Sequence, residues 1–143
     1  MRPLVVLVCL VAVGCGSSAH RGSSTHVVAP GPMPKPRPFR ATLLAPTHTP
    51  RANGNWRYRV RATDLQGRPL RARITAQVID PLGTPHPVQY ANTKRNIVRM
   101  PFLGTFRDFV TWPRAARGYT FTFRVVVYAN GGRKQLLYRV RVR

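Results

Sequence analysis

Across residues 56–63, WRYRVRAT, apolar and basic positions alternate without a break. Trp56, Tyr58, Val60 and Ala62 fall on one phase, and Arg57, Arg59, Arg61 and Thr63 on the other. A period of two sends the two sets to opposite faces of a strand, one buried and one wet. A helix would spread the arginines around its axis and wet the tryptophan. The device recurs in RARITAQV, with Ala72, Ile74, Ala76 and Val78 inward, and in YTFTFRVVVY, with Tyr119, Phe121, Phe123, Val125 and Val127 inward. LYRVRVR closes the chain with Tyr138, Val140 and Val142 against Arg139, Arg141 and Arg143. Weaker runs lie at Phe39–Ala45, Val88–Tyr90, Ile97–Met100 and Thr105–Trp112.

The punctuation between runs agrees with this reading. TDLQGRPL (63–70) places Asp, Gly and Pro between two strands, a hairpin-type signal, and ANGGR (129–133) places Asn-Gly-Gly between the last two; both are turn chemistry. WPRAARG (112–118) is a longer connection. About seven short strands with regular turns and no helical period predict an immunoglobulin-like antiparallel β-sandwich over residues 39–143, the size of one domain.

Ahead of that domain the composition changes twice. Met1-Arg2-Pro3 is followed by an apolar stretch from Leu4 to Gly14. This is shorter than the ~20 residues that span a bilayer and suits a secretory signal. Residues 15–38 are rich in Gly, Ser, Thr and Pro, ending in PGPMPKPRP, a composition expected of a flexible tether that stiffens into polyproline II. Ala12-Val13-Gly14-Cys15 resembles the bacterial lipobox, in which the cysteine thiol receives a diacylglycerol and becomes the mature N-terminus. That resemblance implies a signal peptide over 1–14, cleavage before Cys15 and lipid attachment there, on the extracytoplasmic face of the cell membrane. Cys9 would leave with the signal, and a single remaining cysteine forms no internal disulfide. The competing reading is a free thiol beside an ordinary signal-peptidase site.

Within the domain, RATLLAPTHTPRANGNWRYRVRATDLQGRPLRARITAQV, GTFRDFVTWP and YTFTFRVVVYANGG resemble the small secreted Ig-like domains of high-GC Gram-positive bacteria, many of them carried on lipoproteins. The likeness implies a fold and transfers no catalytic residue. The antibody-type Cys…Trp…Cys pattern is absent, and Trp112, next to Pro113, is expected to serve packing.

Residues 39–143 contain no Ser, no Cys and no Glu, so a serine or cysteine nucleophile cannot be built there. The three carboxylates are Asp64 and Asp80, both in turn-like settings, and Asp108, whose alternation with Phe106, Val110 and Trp112 points it inward unless a bulge intervenes. A structural aspartate paired with a neighbouring arginine is the expectation for Asp108, and no convergent pair of acids marks a glycosidase. His20 and His26 fall in the tether, His48 and His86 in separate loops, and Met33 and Met100 far apart, so no metal or other cofactor is expected and the chain reads as non-enzymatic.

Charge is the strongest remaining signal. The chain carries +21, with 21 Arg against three Lys, and residues 39–143 hold 20 of the 24 basic side chains alongside all three acids. Such a density attracts polyanions. The candidate anion-binding residues are the stripes Arg57, Arg59 and Arg61, and Arg139, Arg141 and Arg143, with Arg71, Arg73 and Arg124 as extensions. The two stripes are expected on opposite sheets, so that charge wraps the domain. Two alternatives explain arginine without function: guarding strand edges against aggregation, and a GC-rich genome. Neither accounts for the scarcity of acids. Expected partners are the membrane through the lipid anchor, and anionic lipid headgroups or an acidic wall polymer. A protein docked through a sheet face or edge strand is the alternative. Nucleic acid is disfavoured by the extracytoplasmic address. Changing Cys15 to Ala is expected to move the protein from the membrane pellet to the soluble fraction; retention in the pellet would rule out the lipid handle.

Overall fold

The computed structural model describes residues 35–143. The expected signal peptide, the expected lipidation site at Cys15 and most of the expected tether lie outside the described residues. Eight strands follow one another: β1 Arg40–Leu44, β2 Asn55–Thr63, β3 Arg71–Ile79, β4 Pro85–Pro87, β5 Met100–Leu103, β6 Thr105–Thr111, β7 Thr120–Ala129 and β8 Gly132–Arg141, with one 3-10 turn at Arg114–Ala116. A three-stranded sheet in the order β1-β2-β6 faces a five-stranded sheet in the order β4-β3-β7-β8, with β5 also pairing β3. Every pairing is antiparallel. The fold is an antiparallel β-sandwich of the immunoglobulin-like kind, and the chain changes sheet at the β2–β3, β5–β6 and β6–β7 connections.

Alternation does what it should on β2, where buried and exposed residues alternate from Asn55 to Ala62. Trp56, Tyr58, Val60 and Ala62 meet Ile74, Phe123, Val125, Val127 and Val140 in one core. Trp56 is the hub: its ring packs on Trp112 at 6.0 Å, Phe123 at 5.2 Å and Tyr138 at 5.5 Å between centroids. Aromatic pairs in such tilted and edge-on geometries add to simple area burial.

Several expectations change in three dimensions. Strands number eight rather than about seven. Val88 is buried but lies outside a strand; the strand is Pro85–Pro87, just upstream, on the sheet edge where proline costs no ladder bond. Ile97 is fully buried yet also outside a strand, its amide and carbonyl bonded to Val88 and Ala76. Tyr119, expected inward, precedes β7 and is 58% exposed.

The turn at Asp64–Arg68 is tight, with the Asp64 amide bonded to the Arg68 carbonyl at 2.9 Å, but it does not make a true hairpin. Pairing ends after the Thr63–Pro69 bridge, and β3 departs to the other sheet. The corner is closed by Gly104, the single residue between β5 and β6, where the chain switches sheets. Its amide donates to Leu70 O at 2.9 Å and its carbonyl accepts from Ala62 N at 2.8 Å. The final hairpin is a true one: Asn130 and Gly131 both hold positive φ, 51° and 76°, matching a two-residue type I′ turn.

A second feature invisible to strand patterning is the connection between β1 and β2. Residues 48–52 run alongside the end of β8, with Arg141 N bonded to His48 O at 2.8 Å, Arg143 N to Pro50 O at 2.9 Å and Ala52 N to Arg143 O at 2.8 Å. His48 stacks on Tyr138 at 4.1 Å, and Trp56 Nε1 donates to Thr47 O at 2.8 Å. This strap covers part of what would otherwise be an open sheet edge.

Gly104 holds φ +63°, and a Cβ built there would lie 2.6 Å from Pro69 Cβ. Gly104→Ala therefore meets both left-handed strain and a rigid ring. It is expected to lower stability by about 1–3 kcal/mol, read as a shift in the urea midpoint; Gly67→Ala, with open space around its Cβ, should cost less.

Candidate functional site: the arginine faces and an arginine-lined cleft

The two predicted stripes occupy different sheets. Arg57, Arg59 and Arg61 project from β2, the central strand of the three-stranded sheet, onto its outer face. Arg107 of β6 stands directly opposite Arg59 on that face. Arg139 and Arg141 project from β8, opposite Thr122 and Thr120, onto the outer face of the five-stranded sheet. Arg143 follows them beyond the strand end, tied through its backbone to the strap. Arg71, Arg73 and Arg124 share the outer face of the five-stranded sheet with Arg139 and Arg141, where Arg124 Nε donates to Gln77 Oε1 at 3.1 Å. The β2 and β8 stripes are not brought together.

The register builds a concave arginine site that local patterning did not single out. Arg73 of β3 is paired with Tyr128 of β7, which is paired in turn with Arg133 of β8. One aromatic ring is thus flanked by two guanidinium side chains in a row across three strands. Arg99 enters from the segment before β5 and lays its guanidinium over the Tyr128 ring, 4.5 Å from the centroid. Its backbone is in the left-handed region, φ 47°, held by a bond from Arg99 N to Thr75 Oγ1 at 3.0 Å. Arg71, one pleat further along β3, completes a cleft of about 960 Å³ with Pro101 and Leu103 on its wall and the Asn130–Gly132 turn at its end. No carboxylate lines it.

The sequence held part of this site: Arg71 and Arg73 were already outward candidates, and Tyr128 and Arg133 carried a further signal. Tyr128 is out of phase with the inward Val125 and Val127, so it is an outward aromatic. The two-residue turn that follows fixes Arg133 opposite it. Arg99 had no such signal, because only the pairing of β5 with β3 brings it there.

The three aspartates are spread apart. Asp64 and Asp80 flank the two ends of the nine-residue β3, roughly 30 Å of strand, while Asp108 lies within β6. Asp64 Oδ2 accepts from Arg68 Nε at 2.6 Å, and Asp64 Oδ1 from the Gln66 and Arg68 amides. Asp80 accepts from His86 Nε2 at 3.0 Å and from the Leu82 and Thr84 amides. The His86 bond holds the Asp80 carboxyl below its usual range.

Asp108 does point inward, as its phase predicted, and β2 pairs β6 in continuous register with no bulge. The expected arginine partner is absent, because its phase places every neighbouring β2 and β6 arginine on the opposite face of the sheet. Asp108 instead sits opposite Tyr58, and its Oδ1 accepts from Ala91 N at 3.4 Å. Asp108 Oδ2 and the Tyr58 hydroxyl are both buried without a hydrogen-bond partner. Burial pushes the Asp108 carboxyl up, and burial together with the Asp108 charge pushes the Tyr58 phenol up.

Among the described residues, no three His, Cys, Asp or Glu side chains gather to hold a metal ion. No known protein family matches the chain, and no curated protein matches it either.

The raised Asp108 value has a definite sign. As pH rises, the unfolded chain gives up this proton first, near the ordinary aspartate value of about 4. Folding weakens from there up to the raised folded value and stays weaker above it. Asp108→Asn removes that cost, so it should be more stable than the parent at neutral pH, with the advantage vanishing below about pH 3. Urea midpoints of both proteins at the two pH values test this; an equal gain at both would assign the effect to packing.

Proposed function

We propose that this chain is a non-enzymatic, lipid-anchored module of the cell envelope that binds an anionic envelope component through its arginine-rich surfaces. The observation that carries this reading is the placement of the acids. Of the Lys and Arg side chains described, Arg68 alone is ion-paired to an aspartate, since Asp80 is taken by His86 and Asp108 is turned inward. Guanidinium groups remain charged at any physiological pH, so both outer faces keep nearly their whole formal charge.

Edge protection does not account for the pattern. Arg57, Arg59 and Arg61 stand on a central strand, and residues 48–52 cover the end of β8 beside Arg139 and Arg141. Arg59 directly opposite Arg107 is a like-charge pair, which weakens a sheet unless something else compensates. A bound polyanion supplies that compensation. Arginine also suits the task, because its planar fork matches carboxylate and phosphate oxygens two at a time.

The test is binding of the mature chain, with Cys15→Ala, to polyphosphate and to polygalacturonate across a salt series. Affinity for at least one is expected to fall log-linearly with salt, as counterions are released. Arg139→Gln/Arg141→Gln/Arg143→Gln should weaken it without changing the thermal midpoint. Loss of no affinity, together with a salt-resistant protein complex recovered from envelope extracts, would replace this reading with a protein-docking module.

A further inference from the structure

The arginine cleft lies at a particular end of the sandwich. The described chain begins at Lys35, and Arg37 N donates to Asn130 O at 3.0 Å, in the β7–β8 turn. Pro36 sits against the same turn: a Cβ on Gly132 would meet Pro36 Cβ at 3.6 Å. Asn130, Gly131 and Gly132 are also the end wall of the cleft. The chain therefore joins the domain beside the cleft, and Lys35 and Arg37 add basic charge at this end of the sandwich. Asp64 is the one acid in a turn at this end, and Arg68 neutralises it.

We propose that the cleft formed by Arg71, Arg73, Arg99 and Arg133 around Tyr128 seats the phosphates of anionic lipid headgroups, so that the domain rests tether-end down on the membrane that carries its anchor. The inference depends on the anchored, anion-binding reading given above and narrows it to one ligand and one site.

Three observations favour lipid over a soluble wall polymer. The first is position: with the anchor at Cys15, only some 20 residues separate the lipid from Lys35, a link of at most about 70 Å. A link that short sets the local concentration of its own membrane near the millimolar range, so weak phosphate contacts suffice. The second is the cleft wall, where Leu103, 62% exposed, and Pro101 stand beside the guanidinium groups. An arginine cluster with an apolar lip matches the boundary between headgroups and acyl chains. The third is preorganisation. The Arg99 guanidinium is seated on Tyr128 and its backbone amide is held by Thr75 Oγ1, so less freedom is lost on binding.

The experiment sediments the chain from residue 15 onward, with Cys15→Ala, with phosphatidylcholine vesicles containing or lacking phosphatidylglycerol. Two variants with equal charge removed are compared: Arg71→Gln/Arg73→Gln/Arg99→Gln/Arg133→Gln in the cleft, and Arg57→Gln/Arg59→Gln/Arg61→Gln/Arg107→Gln on the opposite sheet. Each basic side chain near an anionic surface contributes roughly five-fold in affinity, so the cleft variant should lose about 100-fold or more. The far-face variant should lose less than about ten-fold, since charges beyond a Debye length are screened. Arg71→Gln/Arg133→Gln guards against misfolding, because neither side chain makes an internal hydrogen bond; it should lose about 25-fold with an unchanged urea midpoint.

Equal losses in the two quadruple variants would overturn the cleft while leaving a diffuse anion-binding surface. Failure to bind phosphatidylglycerol vesicles while polyphosphate or polygalacturonate still binds would overturn the lipid assignment and spare the broader function. Failure to bind any of the three would overturn both.

Discussion

The packing of Trp56 between the two sheets is the contact on which the other features rest. Its indole meets Trp112, Phe123 and Tyr138 with centroids 5.2–6.0 Å apart, joining residues of both sheets in one cluster. Its Nε1 reaches Thr47 O at 2.8 Å. That single bond anchors the connection between the first two strands, and the strap then lies along β8 through His48, Pro50 and Ala52. An interior aromatic thus fixes the sheet-to-sheet packing, covers an exposed edge and holds the Arg139–Arg143 run in place.

A core of this kind is what permits so unbalanced a surface. Arginines repel one another across both outer faces, and no acid stands among them to offset it. Stability has to come from apolar burial, which is indifferent to net charge, and the buried residues on both sheets supply it. Meanwhile the few acids do local work. Asp64 and Asp80 organise turns by accepting backbone amides, and Asp108 occupies an inward position where its charge is a cost.

The corner at Gly104 links fold to site. By switching the chain from β5 to β6 in one residue, it lets β5 remain paired to β3 while β6 joins the other sheet. The pairing of β5 carries Arg99 to the Tyr128 ring. A cleft made of residues from positions 71 to 133 therefore depends on one backbone conformation that only glycine adopts comfortably, and on the tight Asn130-Gly131 turn that sets Arg133 against Tyr128.

Period-two alternation by itself determined the long strands β2, β3, β7 and β8, the inward set from Trp56 to Val140 apart from Tyr119, and the outward direction of the arginines, because a strand has only two faces and burial chooses between them. Turn chemistry determined the last hairpin, since Asn-Gly fits positive φ locally. The lack of Ser, Cys and Glu narrowed the chemistry just as directly. Tertiary structure alone decided which strands share a sheet, that Asp64–Arg68 leads across the sandwich instead of back along it, and that a proline-containing edge strand forms upstream of Val88. It also decided that Asp108 faces Tyr58 and no arginine, and that Arg73, Arg99, Tyr128 and Arg133 meet. Local pattern reports the face of a residue and nothing about its neighbours on the next strand; those follow from long-range pairing, which is set by how the whole core closes around Trp56.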